Sequence, residues 1–469
     1  MPYPGRGHIN PMMNICKLLA FKLADTIKIT FIVTEEWLGF IGSEPRPPQI
    51  QLRSIPNVIP SELVRGSDHS GFLEAVFTKM EAPFQQVLDQ LESPVTVIIA
   101  DTMLPWAVSV GNRRNIPLVS LWTMSPSVFS LFYHFDLLTQ NRHFFADVSA
   151  ERGDELIDYI PGISPTRVAD MATVLGESRR QVEGRIMEAF TLVRKAQCLL
   201  IASFHELEAQ VTESLMAILP FPVYHVGPCI PHYTNETDHN PIIRSSATAA
   251  NGNINYNMDY YFKWLDSQPK SSVLYVSFGS FLSFSRDQMD EISAGLRESG
   301  VRYLLVSRGD HISAGTTVPD DDHDEMSMSN SLVVPWCDQL RVLCHSSVGG
   351  FWTHCGWNST VEGVFAGVPM LTFPVGLDQF PNRKLIVDDW KVGMKVKNKE
   401  QFKSERWIKK EEVVMIVKRF MDLDGDDECK EMRRRAVELK ESCRRALAKG
   451  GSSQTNLNAF IRDILKCHV

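Results

Sequence analysis

The stretch WCDQLRVLCHSSVGGFWTHCGWNSTVEGVFAGVPMLTFPVGLDQ, residues 336–379, decides how this chain is read. The apolar run SLVVPW (331–336) leading into it ends a buried strand, and Asp338 to His345 then suits a short helix. VGGFWTH (348–354) is a second strand-like run. The turn His354-Cys355-Gly356-Trp357 follows, and Ser359-x-x-Glu362 matches a capping box at the start of the next helix. Gly367 and Pro369 close that helix, and PMLTFP (369–374) is a third strand. Strand, helix, strand, turn, helix, strand is the order of a parallel α/β unit.

The chemistry gathers at the turn 354–359. Gly356 lets the backbone approach a ligand, and N–H groups at a helix N-terminus, with the dipole behind them, favour an anion. His354, Asn358 and Ser359 add side-chain donors. Together they make a diphosphate cradle without a P-loop. Trp336 ends a strand at the carboxyl edge, where open α/β sheets bind ligands, and its indole can stack on a flat base. Glu362, one turn into the helix, can accept from ribose hydroxyls, while Asp378 and Gln379 after the next strand can meet a sugar. The set reads as a site for a nucleotide-diphosphate sugar. The blander readings are a core aromatic at Trp336 and a simple cap at Ser359–Glu362, and a cap and a ligand contact can share a turn. Cys337, Cys344, His345, His354 and Cys355 invite a zinc reading, but their spacing matches no common zinc motif.

The stretch resembles, almost position by position, the signature box of the plant UDP-glycosyltransferases of secondary metabolism, WxxQxxVLxHxxVGxFxTHCGWNSxxExxxxGVPMxxxPxxxDQ. The resemblance implies a GT-B fold, two Rossmann-like doubly wound domains facing each other across a cleft. An acceptor-binding domain would cover 1–228, a linker 229–258 and a UDP-sugar domain 259–448, with a last helix in 449–469 packing back on the first domain. It implies that Trp336 stacks on uracil, that Gln339 and Glu362 bind the ribose, and that His354, Asn358 and Ser359 bind the diphosphate. Asp378, Gln379, Trp122 and Thr123 would hold the sugar, and Cys337, Gly356 and Trp357 would complete the UDP-sugar contacts. Gln379 favours UDP-glucose in this family, where histidine favours galactose. The implied reaction is an inverting transfer with no cofactor and no metal, the leaving diphosphate being met by the helix N-terminus and His354.

Composition fits a soluble globular protein. The 469 residues suffice for two large domains, and 44% hydrophobic with 22% charged residues is ordinary. A net charge of −8 argues against nucleic acid as a partner. Nine cysteines without a framework point to reduced thiols and a cytoplasmic location. MPYPGRGHINP is no signal peptide, and no run approaches the length of a membrane span or anchor. The expected partners are UDP-glucose and a small hydroxylated acceptor, taken by a monomer.

Outside the box, Gly5-Arg6-Gly7-His8-Ile9-Asn10-Pro11 resembles the family's first strand-to-helix loop. Only Met1-Pro2-Tyr3-Pro4 stand before it, so a shortened first strand is expected. A helix over 11–24 follows, then buried strands at 27–34, 95–100, 117–123, 198–203 and 223–228. Asp101 closes the strand at 95–100, and Trp122 and Thr123 close the next. His8, on a loop, is the candidate general base, with Asp101 holding its imidazole as in a His–Asp dyad. A lone histidine more often caps or packs, and Asp101 alone suits a helix N-cap. The polar stretch 229–258 reads as a linker. Beyond it, strands are expected at 272–277, 302–307, 332–336, 348–353 and 370–373, and helices at 409–421, 427–448 and 452–466. Phe278-Gly279-Ser280 is a second turn whose N–H groups can meet a phosphate, and the acidic run 320–325 reads as a solvated loop. Two rival readings stand beside the transferase: a sugar-nucleotide-binding protein without turnover, and an NAD-dependent dehydrogenase, which would want a fuller glycine fingerprint.

Overall fold

The computed structural model describes residues 1–24, 26–63, 65, 68–143, 152–171, 179–231, 259–279, 284–307, 329–396 and 407–466. Ser280, the acidic run at 320–325 and all but the first residues of the expected linker lie outside them. The chain divides into two compact units. Met1–Asp147, Glu155–Gly252 and Ser442–Val469 form the first, and Val148–Asp154 with Asn253–Glu441 form the second.

In the first unit, β1 (Ile29–Thr34) and β2 (Ile50–Ile55) pair as a parallel ribbon. β3 (Ile98–Asp101) and β4 (Leu118–Trp122) precede a small antiparallel hairpin, β5 (Leu156–Ile157) with β6 (Thr166–Arg167). β7 (Cys198–Ile201) and β8 (Val223–His225) complete a parallel sheet of order β3-β4-β7-β8. Met1 lies beside β3: its amine donates to the Ile99 carbonyl at 2.6 Å, and its carbonyl accepts from the Asp101 N–H at 3.0 Å. This sheet is covered on both faces, which is why its strands read as unbroken apolar runs. Leu199 and Ile201 enter a core with Trp122, Phe129 and Phe190, while Cys198 and Leu200 enter the opposite core with Ile9, Met12 and Leu19. Each such aliphatic side chain contributes about 1.5–3 kcal/mol by burial. The helix Ser452–Phe460 belongs to this unit, with Leu457 and Phe460 in its core and Tyr224 Oη donating to Asp463 Oδ2 at 3.2 Å.

Two features of this unit differ from the sequence reading. The first helix spans Arg6–Lys22, so His8 stands in its first turn and not on a loop. Ile9, Met12, Met13, Ile15, Cys16 and Leu19 bury at helical spacing, and that burial carries the helix through Pro11. β2 has no counterpart among the expected strands, because IQLRSI buries its two ends and alternates exposed positions between them.

The second unit is a parallel sheet of β9 (Val273–Ser277), β10 (Arg302–Val306), β11 (Ser331–Val334), β12 (Val348–Thr353), β13 (Met370–Thr372) and β14 (Gly393–Lys395), in the order β11-β10-β9-β12-β13-β14. The chain runs outward from β9 through β10 and β11, then returns to the other side of β9 as β12. Ser277 and Thr353, the last residues of β9 and β12, are register partners at this reversal. Ligands of open α/β sheets bind at such a switch point, beyond the carboxyl ends of the strands. Among the described residues every cysteine is unbridged, and no helix is long and apolar enough to cross a membrane.

Candidate functional site

Two clusters of polar side chains stand at strand ends, one in each unit. In the first, His8 Nδ1 is 2.7 Å from Asp101 Oδ2. Asp101 closes β3, is 2% exposed, and accepts from the Met103 N–H through Oδ1 at 2.9 Å. The carboxylate is therefore fixed at both oxygens, and a buried carboxylate facing Nδ1 selects the Nδ1–H tautomer. Nε2 is left as the basic nitrogen. The Thr123 hydroxyl also stands 2.9 Å from Nδ1, and the Tyr3 ring lies 4.9 Å from the imidazole. His8 keeps 19% of its side chain exposed, against 1% for Asp101. This is an imidazole open to solvent on a closed support.

In the second unit the cluster is built on the turn after β12. The helix Trp357–Ala366 starts at Gly356 and has no side-chain cap. Its first turn therefore presents N–H groups beside His354. The capping box expected at Ser359–Glu362 does not form, because Gly356 is the N-cap and Ser359 already stands inside the first turn; Gln339 Nε2 instead donates to Ser359 Oγ at 3.0 Å and to Glu362 Oε2 at 2.7 Å. Gln339 opens the short helix Gln339–Leu343, capped by Asp338. Trp336, half-buried beyond β11, is no core aromatic. Burial pushes the Glu362 carboxyl up to about 7, with Gln339 donation opposing.

His354 fits between two glycines. A Cβ at Gly279 would meet its Nε2 at 2.6 Å, and one at Gly356 would meet it at 2.4 Å. Desolvation pulls its pKa down to about 4, against a hydrogen bond to the Ser277 backbone. At neutral pH it is a hydrogen-bonding group and not a cation, so the positive end here is the helix dipole. Cys355 beside it holds φ 66, a left-handed backbone at a non-glycine residue, and Leu377 before Asp378 holds φ 57. Such strain persists where surroundings over-determine it, often at ligand sites. Asn382 ties the two turns together, Nδ2 donating to the Cys355 carbonyl and to Asp378 Oδ2, both at 2.9 Å. Gln379 Oε1 accepts from the N–H groups of Val375 (2.7 Å) and Gly376 (3.2 Å). The amide is thereby braced through its oxygen, in a residue that is 5% exposed.

Residues 256–406 match the family model for UDP-glucoronosyl and UDP-glucosyl transferase. UDP-glycosyltransferase 87A1 of Arabidopsis thaliana is 50% identical over 99% of this chain and 100% of its own length, and 87A2 of the same plant is 48% identical over 99% and 96%. The chain belongs to the plant UDP-glycosyltransferase family. Among solved structures, that of Medicago truncatula UGT71G1 complexed with UDP-glucose is similar at a TM-score of 0.78 and 26% identity, over 99% of this chain and 97% of that one. Phytolacca americana UGT2, complexed with UDP-2fluoro-glucose and pterostilbene, follows at 0.77 and 25%, over 99% and 98%. The fold is thus GT-B, and the dehydrogenase and non-catalytic readings fall away.

Within this glycosyltransferase, three of the expected site residues are placed otherwise than the sequence suggested. The Trp122 indole is wholly buried, its N–H donates to the Ser125 carbonyl at 2.8 Å, and it packs edge-on against Phe129 and Phe190. It is core and has no face for a sugar. Thr123 is 2% exposed with its hydroxyl on His8, so its first partner is the dyad. The Cys337 side chain is buried with its thiol 3.4 Å from Tyr275 Oη, and burial pushes that thiol up to about 12. Any ligand contact at Cys337 falls to its backbone. Asn382 was missed by the sequence reading. Its signal was there: Asp378 and Asn382 are four residues apart on one helical face, where side chains meet.

Proposed function

We propose that this glycosyltransferase moves glucose from UDP-glucose to a hydroxyl of a small apolar acceptor, such as a plant secondary metabolite or hormone, with inversion at the anomeric carbon. The observation that carries the reading is the His8–Asp101 pair, a histidine whose Nδ1 sits on a buried carboxylate at 2.7 Å. Nε2 removes the acceptor proton as its oxygen attacks, and Asp101 stabilises the imidazolium that forms. In the second unit Trp336 stacks on uracil, Gln339 and Glu362 take the ribose, and His354, Asn358 and Ser359 take the diphosphate. Charge on the departing UDP is met by the uncapped helix start, in place of a resident metal. Asp378 and Gln379 hold the sugar. Glucose is supported by Gln379 following Asp378 and by the UDP-glucose complex of the similar Medicago protein. The test is incubation with UDP-glucose and a panel of phenolic acceptors, followed by mass detection of the glucoside and assay of UDP release. UDP release that gives no glucoside with any hydroxylated acceptor would refute the proposal.

Gln379→His is expected to weaken use of UDP-glucose. Gln379 braces the 375–376 backbone with its oxygen, and its nitrogen remains as the donor for a sugar hydroxyl. Histidine cannot supply both in the same geometry, and a site built to hydrogen-bond hydroxyls rejects a mismatch strongly. An unchanged KM for UDP-glucose would place Gln379 outside the sugar site.

Glu362 predicts a pH dependence. Ribose hydroxyls donate to the ionised carboxylate, whose pKa is raised to about 7. Affinity for UDP-glucose is therefore expected to fall as pH drops below about 7, and Glu362→Gln to flatten the profile. UDP-glucose is the right probe, since its doubly esterified diphosphate does not titrate in this window. Calorimetry at a series of pH values decides it, and a flat parent profile would contradict the assignment. Stability moves the other way. The folded protein keeps this proton up to about pH 7, and the unfolded chain loses it near 4.5, so this group's contribution falls as pH rises between the two.

A further inference from the structure

Tyr275 stands in the middle of β9, the strand flanked by β10 and β12, and is 1% exposed. Its ring stacks on Phe351 of β12 with centroids 5.2 Å apart, so the hydroxyl is held by two strands and a neighbouring ring. That hydroxyl lies 3.1 Å from Gln339 Oε1 and 3.4 Å from Cys337 Sγ. A phenol has one proton to give. With it donated to Gln339 Oε1, the Cys337 S–H, kept protonated by burial, donates to the phenol oxygen. The chain runs from the thiol to the phenol and on to the amide, whose Nε2 then donates to Ser359 Oγ and Glu362 Oε2.

An amide has two faces of opposite character, and its orientation follows from its partners. Reversed, Gln339 would set its NH₂ against the Tyr275 O–H and its oxygen against the Glu362 carboxylate. We propose that Tyr275 is a positioning residue for the nucleotide site, fixing the Gln339 amide so that its nitrogen holds Ser359 and Glu362 ready for the ribose. It touches no ligand and acts through Gln339. The inference rests on the assignment of Gln339 and Glu362 to the ribose.

The experiment is a double-mutant cycle read by UDP calorimetry on the full chain: parent, Tyr275→Phe, Gln339→Ala and the double variant. Phenylalanine keeps the stack on Phe351 and removes only the hydroxyl, and melting curves report whether the variant folds. Tyr275→Phe is expected to weaken UDP about 3- to 10-fold, in line with one buried hydrogen bond, and to raise KM for the sugar nucleotide by the same factor without moving the acceptor KM. In the Gln339→Ala background it should change UDP affinity no further. A second variant, Gln339→Glu, keeps an acceptor for Tyr275 but turns an oxygen toward Glu362, and is expected to lose more affinity than Gln339→Ala. Parent-like binding by Tyr275→Phe or by Gln339→Glu overturns the proposal, as does the same fold-loss from Tyr275→Phe with and without Gln339. A parent protein that fails to bind UDP would instead refute the nucleotide assignment itself.

Discussion

Replacement of His8 by alanine is expected to lower turnover about 100- to 10,000-fold while UDP affinity stays at the parent value. The size follows from what the imidazole does: a positioned base in the transition state contributes about that factor, and neither Asp101 nor Tyr3 replaces it. Asp101 cannot, since it is 2% exposed and its two oxygens are occupied by His8 and the Met103 N–H. Tyr3 cannot, because burial pushes its phenol well above the ordinary tyrosine range, and it stays protonated. The unchanged affinity follows from placement, since His8 belongs to the first unit and every residue assigned to UDP belongs to the second. Single-turnover rates and UDP calorimetry on the same preparation test both halves. Turnover within a few-fold of the parent would move the base elsewhere, and a parallel loss of UDP affinity would mean that His8 acts on the nucleotide.

What the sequence made legible was the part decided by neighbours in the chain. CLLI, VLYVS and the run Val348–Thr353 are buried on both faces, so their apolar character is continuous and unambiguous. Asp101 and His354 stand at or just after the ends of such strands, so their arrival at a sheet edge needed no tertiary information. The remainder depended on contacts between distant segments. Ser359 and Glu362 have the spacing of a cap, and only Gln339, twenty and more positions earlier, draws them into one hydrogen-bonded network. Trp122 and Thr123 are adjacent at the end of one strand, yet one faces the core and the other the His8 ring. The helix at Arg6 starts earlier than the Gly and Pro of its first turns suggest, because the buried side of Ile9, Met12 and Cys16 outweighs local propensity.

Gly356→Ala is expected to cost about 1–3 kcal/mol at the diphosphate turn, the usual range for overpacking, and so to weaken UDP about 5- to 150-fold. The backbone is not the obstacle: Gly356 has φ −60 and ψ 143, which any residue adopts. The obstacle is His354, whose Nε2 would lie 2.4 Å and whose Cε1 would lie 3.0 Å from the new Cβ. The ring has no retreat, because on its other side an added Cβ at Gly279 would meet the same two atoms at 2.6 and 2.7 Å, showing how closely that backbone approaches. To admit the methyl group the imidazole must leave its slot, and the first N–H groups of the helix Trp357–Ala366 shift with the turn. The double variant Gly356→Ala with His354→Ala separates the causes. With the ring gone the three atoms nearest the methyl are gone with it, so the double variant should bind UDP as His354→Ala alone does. Calorimetry with UDP and melting curves on the four proteins decide it. A Gly356→Ala protein that binds UDP like the parent would mean that the ring moves at no cost, and that the two glycines do not define its place.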